Sequence, residues 1–479
     1  MTAGIATQRY LLRHIEPGLP DSPHPATPWR NVLVIPAYRE GAALVRQLQD
    51  SPAAPGRALV ILVLNRPDSD PDPDANAELR AAVHALPAGD CTGVRRLNAH
   101  SDLYLYDRET KSGPLPRAQG VGLARKIGCD IALKWKCAGA ISGRWICSTD
   151  ADATLPPDYF DKLGDLPAGA VGATYPFRHT PGNDEACNTA TALYELRLHH
   201  YVTGLEHAGS PYAFHTLGSC LAVTFDGYAE VRGFPKRAGA EDFYLLNKLA
   251  KTGPVIRLAG ECIRLESRES HRVPFGTGPA VATIGRAEKP DELPLFYHPA
   301  CFEALRALLA AAAQLARPEQ ADWTALLAAE GITGPLLQAC RNTTQAMGLA
   351  AALDHCRRQG KSPEQFLRQF HQWFDGFRTL KFIHGIRDAG WPAQSLAGLR
   401  KPSNHWWNWR RNCSGDLPWR RQWSRAAANP MASSVEQHAC ASSREMPSAA
   451  SKAGRSARVC CRSCAAAAST ARRASKQAG

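Results

Sequence analysis

Two carboxylates stand one residue apart at the end of an apolar segment, in the run Ile146-Cys147-Ser148-Thr149-Asp150-Ala151-Asp152. Side chains two positions apart in an extended chain lie on the same face, so Asp150 and Asp152 can point toward one cation. Hard cations such as Mg²⁺ and Mn²⁺ take oxygen ligands and share them with phosphate groups. The spacing therefore predicts a Mn²⁺ or Mg²⁺ site that holds a diphosphate.

Two later segments carry further groups that could join such a site. Glu241 and Asp242 form a second acidic pair in front of an apolar helical pattern, although a helix N-terminus also favours negative charge without any chemistry. Downstream, a glycine-flanked loop carries Arg268, His271 and Arg272. Three separated segments could thus form one site.

The elements that must position these groups have the pattern of an α/β protein. The apolar run Asn31–Ile35 predicts a buried parallel strand that ends at Pro36, with a helix beginning near Glu40. A second apolar run covers Leu59–Leu64. Strands that alternate with helices indicate a doubly wound sheet, whose ligands bind beyond the carboxyl ends of the strands.

Two further helices are predicted beside this sheet. The first begins near Gly120 and carries Arg125 and Lys126, which can reach a diphosphate or can equally form a solvated basic turn. The second covers about Thr189–Leu205 in a polar region that we interpret as facing the substrate. We expect its histidines to lie at the surface rather than to bind a metal: His199, His200 and His207.

The C-terminal third changes character. Ala- and Leu-rich helices are predicted at Phe302–Ala316, with others around Thr343–Arg358 and Pro363–His384. An aromatic stripe at helical spacing is typical of a core: Phe366, Phe370, Trp373, Phe374 and Phe377. We therefore divide the chain into an N-terminal extension (1–28), an α/β domain (29–285), a helical subdomain (286–400) and a basic tail (401–479).

The net charge of +13 is concentrated in the tail, which has 3 Lys and 11 Arg against 1 Asp and 2 Glu. Residues 1–400 are therefore close to neutral, and nucleic acid is not an expected partner. The tail's composition predicts disorder, although its tryptophans between Trp406 and Trp423 would also suit a weak peripheral contact with a membrane surface.

No apolar run is long enough to cross a bilayer, and Met1–Glu16 is charged rather than typical of a signal peptide. A cytoplasmic location is expected. The 15 cysteines include five in the tail, and the other ten form no C-x-x-C pair, so we expect reduced thiols rather than a disulfide framework.

Taken in order, four segments resemble the family 2 glycosyltransferases of the GT-A fold. They are Val34-Ile35-Pro36-Ala37-Tyr38-Arg39-Glu40, Gly122-Leu123-Ala124-Arg125-Lys126, Ser148-Thr149-Asp150-Ala151-Asp152 and Ala240-Glu241-Asp242. The resemblance covers about residues 29–285 and is specific as an ordered set. It implies a GT-A-like mixed sheet flanked by helices and a hexosyltransferase that uses a nucleotide-sugar donor and an acceptor hydroxyl.

The resemblance also implies roles for single residues. Pro36, Ala37, Tyr38 and Glu40 would line the nucleoside pocket, and Asp150 would approach the ribose. Asp152 would bind the metal ion, and His271 would either be a further ligand or lie on the surface of its loop. Asp242 would be the catalytic base and Glu241 would orient it or the acceptor, in one displacement that inverts the configuration. Arg268 and Arg272 would contact phosphate.

Two departures from the family pattern matter. The chain has Asn65-Arg66-Pro67-Asp68 where many members place an acidic residue after the second strand, so the contact that selects the nucleobase is open. It also has no Gln-x-x-Arg-Trp signature in its C-terminal region, which favours a single transfer over processive polymerisation.

Two alternatives stay open. Asp150-Ala151-Asp152-Ala153-Thr154 also fits a haloacid-dehalogenase-like phosphatase, in which Asp150 would be the nucleophile. The chain would otherwise be a catalytically inactive protein that binds a nucleotide sugar.

Overall fold

The computed structural model of the chain describes residues 4–52, 55–269, 276–316 and 322–399. The strands are β1 (Asn31–Ala37), β2 (Ala58–Leu64), β3 (Val94–Arg96), β4 (Ser101–Asp107), β5 (Trp145–Ser148), β6 (Ala153–Thr154), β7 (Gly172–Thr174), β8 (Phe177–Thr180), β9 (Leu221–Thr224), β10 (Val255–Arg257) and β11 (Ile263–Glu266). The first helices are α1 (Ile5–Arg13), α2 (Ala43–Gln49), α3 (Ala77–His84), α4 (Arg108–Ser112), α5 (Gly120–Cys137), α6 (Glu185–His207), α7 (Phe225–Glu230), α8 (Glu241–Leu249) and α9 (Thr277–Gly285). The remaining helices are α10 (Pro299–Leu315), α11 (Trp323–Ala329), α12 (Gly334–Ala346), α13 (Leu349–Gln359), α14 (Pro363–Trp373), α15 (Gly376–Asp388) and α16 (Leu396–Leu399), with 3-10 turns at Asp161–Leu163 and Pro290–Glu292.

An eight-stranded mixed sheet forms the centre of the α/β part, in the order β10-β7-β9-β5-β1-β2-β4-β3. The strands β5, β1, β2 and β4 are parallel, whereas β9 is antiparallel to both β5 and β7. All seven residues of β2 are buried, as an apolar run covered on both faces requires. The predicted α/β class with a mixed sheet flanked by helices is confirmed.

A small second sheet, β6-β11-β8, lies where the chain leaves β5. Its edge strand β6 begins at Ala153, directly after Asp152, and pairs antiparallel with β11 at Leu265. The same Leu265 pairs with His179 of β8 on the other side. This sheet therefore places the residues after β11, which include Arg268, beside the turn that carries the two aspartates.

Most predicted elements are present with shifted ends. The helix expected near Glu40 begins at Ala43, and α6 is longer than expected at both ends. The expectation of surface histidines on α6 is wrong for His199 and His200, because both side chains are buried against aromatic rings of neighbouring elements.

The helical part, α10 to α16, has its own apolar core, in which Phe366, Phe370 and Phe374 are buried as expected. Phe377 departs from that expectation, with 37% of its surface exposed. The segment around Thr343–Arg358 is two helices rather than one, because Gly348 adopts a left-handed conformation (φ +79°) between them. The division of the chain at residues 28, 285 and 400 stays a prediction.

The N-terminal helix α1 packs on the α/β core through Tyr10, which is fully buried. The Tyr10 hydroxyl donates to Asp130 of α5 (2.5 Å), and the Lys126 ammonium donates to both Tyr10 (2.5 Å) and Asp130 (2.8 Å). Tyr228 of α7 donates to the same carboxylate (2.8 Å). A buried charge with several partners is stable only while those partners stay in place.

Within the ranges that the structure covers, no helix has the length and apolarity to span a bilayer. Every cysteine of those ranges is a free thiol, as expected. The predicted disordered tail and membrane contact between Trp406 and Trp423 lie outside the described residues.

Candidate active site

The turn with the two aspartates begins at the carboxyl end of β5, which lies between the parallel β1 and the antiparallel β9. Thr149 donates its N–H to the Val34 carbonyl of β1 (3.1 Å) and its hydroxyl to the Ser219 carbonyl (2.9 Å). β1 and β9 are the two neighbours of β5 in the sheet, and these bonds hold the start of the turn toward both of them. The site is thus at the edge of the sheet where doubly wound folds bind their ligands.

A buried arginine connects this turn to the acidic pair on α8. Arg125 of α5 is only 2% exposed, and its Nη1 donates to the Ser148 hydroxyl (2.8 Å) and to the Thr149 carbonyl (3.3 Å). Its Nε donates to Glu241 Oε1 (3.0 Å), and its Nη2 forms an ion pair with Asp150. Since every nitrogen of the guanidinium has a protein partner, Arg125 organises the site from within rather than facing a diphosphate.

The space for this guanidinium depends on Gly218. A Cβ atom at that position would lie 2.4 Å from Nη2 and 2.8 Å from Cζ of Arg125. Real side chains do not approach so closely, and Arg125 cannot move away without losing its partners. Sequence reasoning missed Gly218, although its place just before β9, opposite the end of β5, would have been a signal.

The acidic pair begins α8. Ala240 has a left-handed conformation (φ +58°) that is rare for a residue with a Cβ, and it turns the chain into the helix. Glu241 is buried against Arg125, whereas Asp242 is partly exposed and accepts the Phe243 N–H (2.6 Å). The two carboxylates therefore differ in burial and in their hydrogen-bond partners.

The surroundings of Asp242 raise its pKa. Burial, and then the negative charge of Glu241, raise the pKa of Asp242 to about 7, while the Phe243 N–H and Arg125 act in the opposite direction. The charge of Asp150 adds to the increase. A carboxyl group with a pKa near neutrality can take up and release a proton at the pH of a cell.

Asp152 has a different partner from Asp150. Its Oδ2 accepts two bonds from Arg268, from Nε (3.0 Å) and from Nη2 (2.6 Å). Both side chains of this pair are partly exposed. The charge of Glu40 also acts on Arg268, which shows that the loop after β1 lies close to the same place.

The residues predicted to line a nucleoside pocket lie at the end of β1. Tyr38 donates its hydroxyl to Asp70 (2.6 Å), and Arg39 donates to both oxygens of the same carboxylate (3.0 and 2.9 Å). Asn65, at the end of β2, donates to the Ala37 carbonyl (3.0 Å). Pro36 and Ala37 are the last two residues of β1, and their role in a nucleoside pocket, with that of Tyr38 and Glu40, stays a prediction.

Asp70 is a residue that the sequence analysis missed. The segment directly after β2, Asn65-Arg66-Pro67-Asp68, does not begin with an acidic residue, but the chain turns back so that Asp70 meets Tyr38. The alternating aspartates at 68, 70, 72 and 74 were the available signal. The Arg39 guanidinium and the Tyr38 hydroxyl hold the pKa of Asp70 well below its usual range.

One of the predicted residues, Lys126, has its partners away from this cleft. Lys126 is adjacent to Arg125 in sequence, but its ammonium donates to Asp130 and Tyr10. It therefore joins α5 to α1. His271 and Arg272 lie outside the described residues.

The fit to a divalent cation depends on a single carboxylate. Among the described residues, no group of three or more His, Cys, Asp or Glu side chains could hold a metal ion by itself. Mg²⁺ at phosphate sites, however, is commonly bound by one or two carboxylates together with phosphate oxygens and water. Asp152 fits that kind of site, because it is exposed in part and has a second oxygen besides Oδ2.

A cavity of about 260 Å³ lies beside the turn, between α2 and the segment that follows β5. Ile35, Gln47, Asp150 and Ala153 are among the residues that line it. Gln47 of α2 donates to the Ala153 carbonyl (2.7 Å) and so ties the turn to this wall.

Comparison with known proteins gives matches in structure alone. No family model matches the chain, and no curated protein matches its sequence. One matched structure is TarS 1-349 of S. aureus in complex with UDP-GlcNAc, at 11% identity and a TM-score of 0.33, with 75% of this chain and 90% of the other covered. Another is the mannosyltransferase PcManGT from Pyrobaculum calidifontis in complex with GDP-Man and Mn²⁺, at 16% identity and a TM-score of 0.32, with 76% and 92% covered.

The fold class of this chain follows from its own strands and helices. The sheet order, the antiparallel β9 and the flanking helices are those of a mixed α/β sheet. The chain has a mixed α/β sheet flanked by helices, and the solved structures that it is similar to include one described as a mannosyltransferase.

Proposed function

We propose that this protein transfers a sugar, of the hexose class, from a nucleotide-sugar donor to an acceptor hydroxyl, in a single transfer that inverts the configuration. The observation that supports it best is the arrangement around Arg125, which brings Asp150 and Glu241 to one place, with Asp242 next to Glu241. Asp152 lies two residues from Asp150.

The chain's residues then have the following roles. Pro36, Ala37, Tyr38 and Glu40 line the nucleoside pocket, and Asp150 approaches the ribose. Asp242 accepts the proton of the acceptor hydroxyl while the new bond to the anomeric carbon forms and the bond to the diphosphate breaks on the opposite face.

A second group of residues would bind the metal ion and the diphosphate. Asp152 would hold Mn²⁺ or Mg²⁺, with His271 as a further candidate, and a bound cation supplies electrostatic stabilisation of the departing diphosphate. Arg268 and Arg272 contact phosphate oxygens, for which guanidinium groups have the matching geometry. Arg125 keeps Asp150 and Glu241 in place.

A binding screen followed by a transfer assay tests this function. UDP, GDP and ADP, each with and without Mn²⁺, should include at least one that raises the melting temperature, because a ligand that binds only the native state stabilises it. Release of that nucleoside diphosphate from the matching nucleotide sugars then measures turnover.

Two variants make the test specific. Asp242→Asn should keep nucleotide binding and lose about 10²–10⁴-fold in transfer. Glu230→Gln, an exposed residue at the end of α7, should change neither. Absence of stabilisation by every nucleoside diphosphate would refute the proposal, and hydrolysis of an aryl phosphate that Asp150→Asn abolishes would support the phosphatase instead.

A further inference from the structure

The two arginines at the aspartate turn differ in how firmly they are held. The side chain of Arg125 is 3% exposed and binds Ser148, Thr149, Asp150 and Glu241. The side chain of Arg268 is 31% exposed and its hydrogen bonds within the described residues both go to Asp152. One arginine is therefore a fixed part of the site, and the other is placed so that it can change partner.

The geometry of the Arg268–Asp152 pair is not the strongest that these groups can form. Nε and Nη2 both donate to the same oxygen, Oδ2, whereas the strongest arginine–carboxylate pairs use both oxygens in parallel. Asp152 is itself 28% exposed, so water screens the pair and replaces either partner readily.

The same carboxylate is the one that the proposed function assigns to a divalent cation. A cation held by a carboxylate oxygen of Asp152 would lie in the immediate neighbourhood of the guanidinium. The two positive charges would then repel each other. Arg268 and the cation are therefore competitors for Asp152.

We propose that Arg268 is an internal counter-cation that neutralises Asp152 while the metal site is empty, and that it moves to the donor's diphosphate when a divalent cation takes this carboxylate. This inference rests on the proposed function. A diphosphate offers the paired oxygens that suit a guanidinium better than the single oxygen of Asp152.

The surroundings of Arg268 keep it near the site after such an exchange. The charges of Glu40 and Glu266 act on it in addition to that of Asp152. Arg268 follows β11, whose pairing with β6 fixes the distance between the backbone of Arg268 and the aspartate turn. The exchange thus needs a change of side-chain conformation and no movement of the sheet.

Equilibrium titrations of the full-length protein with Mn²⁺ test this exchange without measuring activity. Wild type, Arg268→Gln and Asp152→Asn are titrated with Mn²⁺ alone by calorimetry or by electron paramagnetic resonance. Removing the competitor should make Arg268→Gln bind Mn²⁺ about two- to fivefold more tightly than wild type, as the loss of an exposed ion pair allows. Asp152→Asn should bind it more weakly than both.

The same proteins are then titrated with UDP, GDP and ADP in saturating Mn²⁺. Arg268→Gln should bind the preferred nucleoside diphosphate about tenfold more weakly than wild type, because it lacks the phosphate contact. Arg264→Gln is the matched control, since Arg264 is an exposed arginine on β11, the strand that Arg268 follows, and it should behave as wild type in both titrations.

Equal or weaker Mn²⁺ binding by Arg268→Gln in the absence of nucleotide would overturn the counter-cation role, even if wild type binds metal and nucleotide. Failure of wild type to bind any nucleoside diphosphate, with or without Mn²⁺, would overturn the proposed function as well. The two failures are therefore distinguishable.

Discussion

Replacing Asp242 with asparagine is expected to abolish transfer and, at the same time, to stabilise the fold at neutral and alkaline pH. In the folded protein, burial and the charge of Glu241 raise the pKa of Asp242 from 3.8 to about 7. Between these two values the native state holds a proton that the unfolded chain has lost. Stability therefore falls as the pH rises through this window, and the neutral amide of the variant avoids that loss.

The size of the effect follows from the shift. A change of about three pKa units corresponds to about 4 kcal/mol once the pH is above 7. Because the side chain of Asp242 is partly exposed, solvent screening reduces this figure. We expect the advantage of Asp242→Asn over wild type to grow by about 1–3 kcal/mol between about pH 5 and about pH 8.

Urea unfolding at several pH values, followed by fluorescence, measures this difference. The transition midpoints are compared, because a chain of this size need not unfold in two states.

The transfer rate of wild type should rise with pH and reach half of its maximum near pH 7, as a base with this pKa requires. Glu241→Gln is the matched control, and it should destabilise the protein because Glu241 neutralises the buried Arg125. A pH-independent difference, or an Asp242→Asn variant less stable than wild type at about pH 8, would refute the reasoning.

Three further substitutions test the packing around the site and away from it. Arg125→Met should cost about 3–5 kcal/mol in the free energy of unfolding, because it leaves Glu241 charged and buried, and a near-neutral change would contradict the ion pair. Gly218→Ala should cost about 1–3 kcal/mol and reduce transfer, because its Cβ would lie 2.4 Å from the Arg125 guanidinium, and normal turnover would be the contrary result. Gly204→Ala should cost about 1–3 kcal/mol through a Cβ 2.3 Å from the Phe302 ring, with turnover per folded molecule unchanged, and a specific loss of turnover would argue against a purely structural effect.

The strands that bear the site could be predicted because burial on both faces produces continuous apolar runs. The runs at Asn31–Ile35 and Leu59–Leu64 correspond to β1 and β2 almost residue for residue. The antiparallel β9 between β5 and β7 was not predicted. Its four residues carry no turn signal that would connect them to a strand more than 70 residues earlier in the chain.

The sequence predicts which residues belong to the candidate site better than it predicts which of them contact each other. Asp150 and Asp242 were singled out because their spacing and their neighbours resemble a known motif. The pairing of Arg125 with Glu241 joins positions 116 residues apart, which no local pattern encodes. Arg125 and Lys126 are adjacent, and only the packing of α5 determines that the first meets the acidic pair and the second meets Asp130.

The burial of Tyr10 has a consequence for anyone who designs a shortened protein. A fragment that begins at Trp29 would lack the hydroxyl that binds Asp130 and Lys126, and water would enter behind the same helix that carries Arg125. A fragment that begins at the first strand lacks α1 and therefore part of the packing that supports α5. The first 28 residues are therefore material that an expression vector should retain.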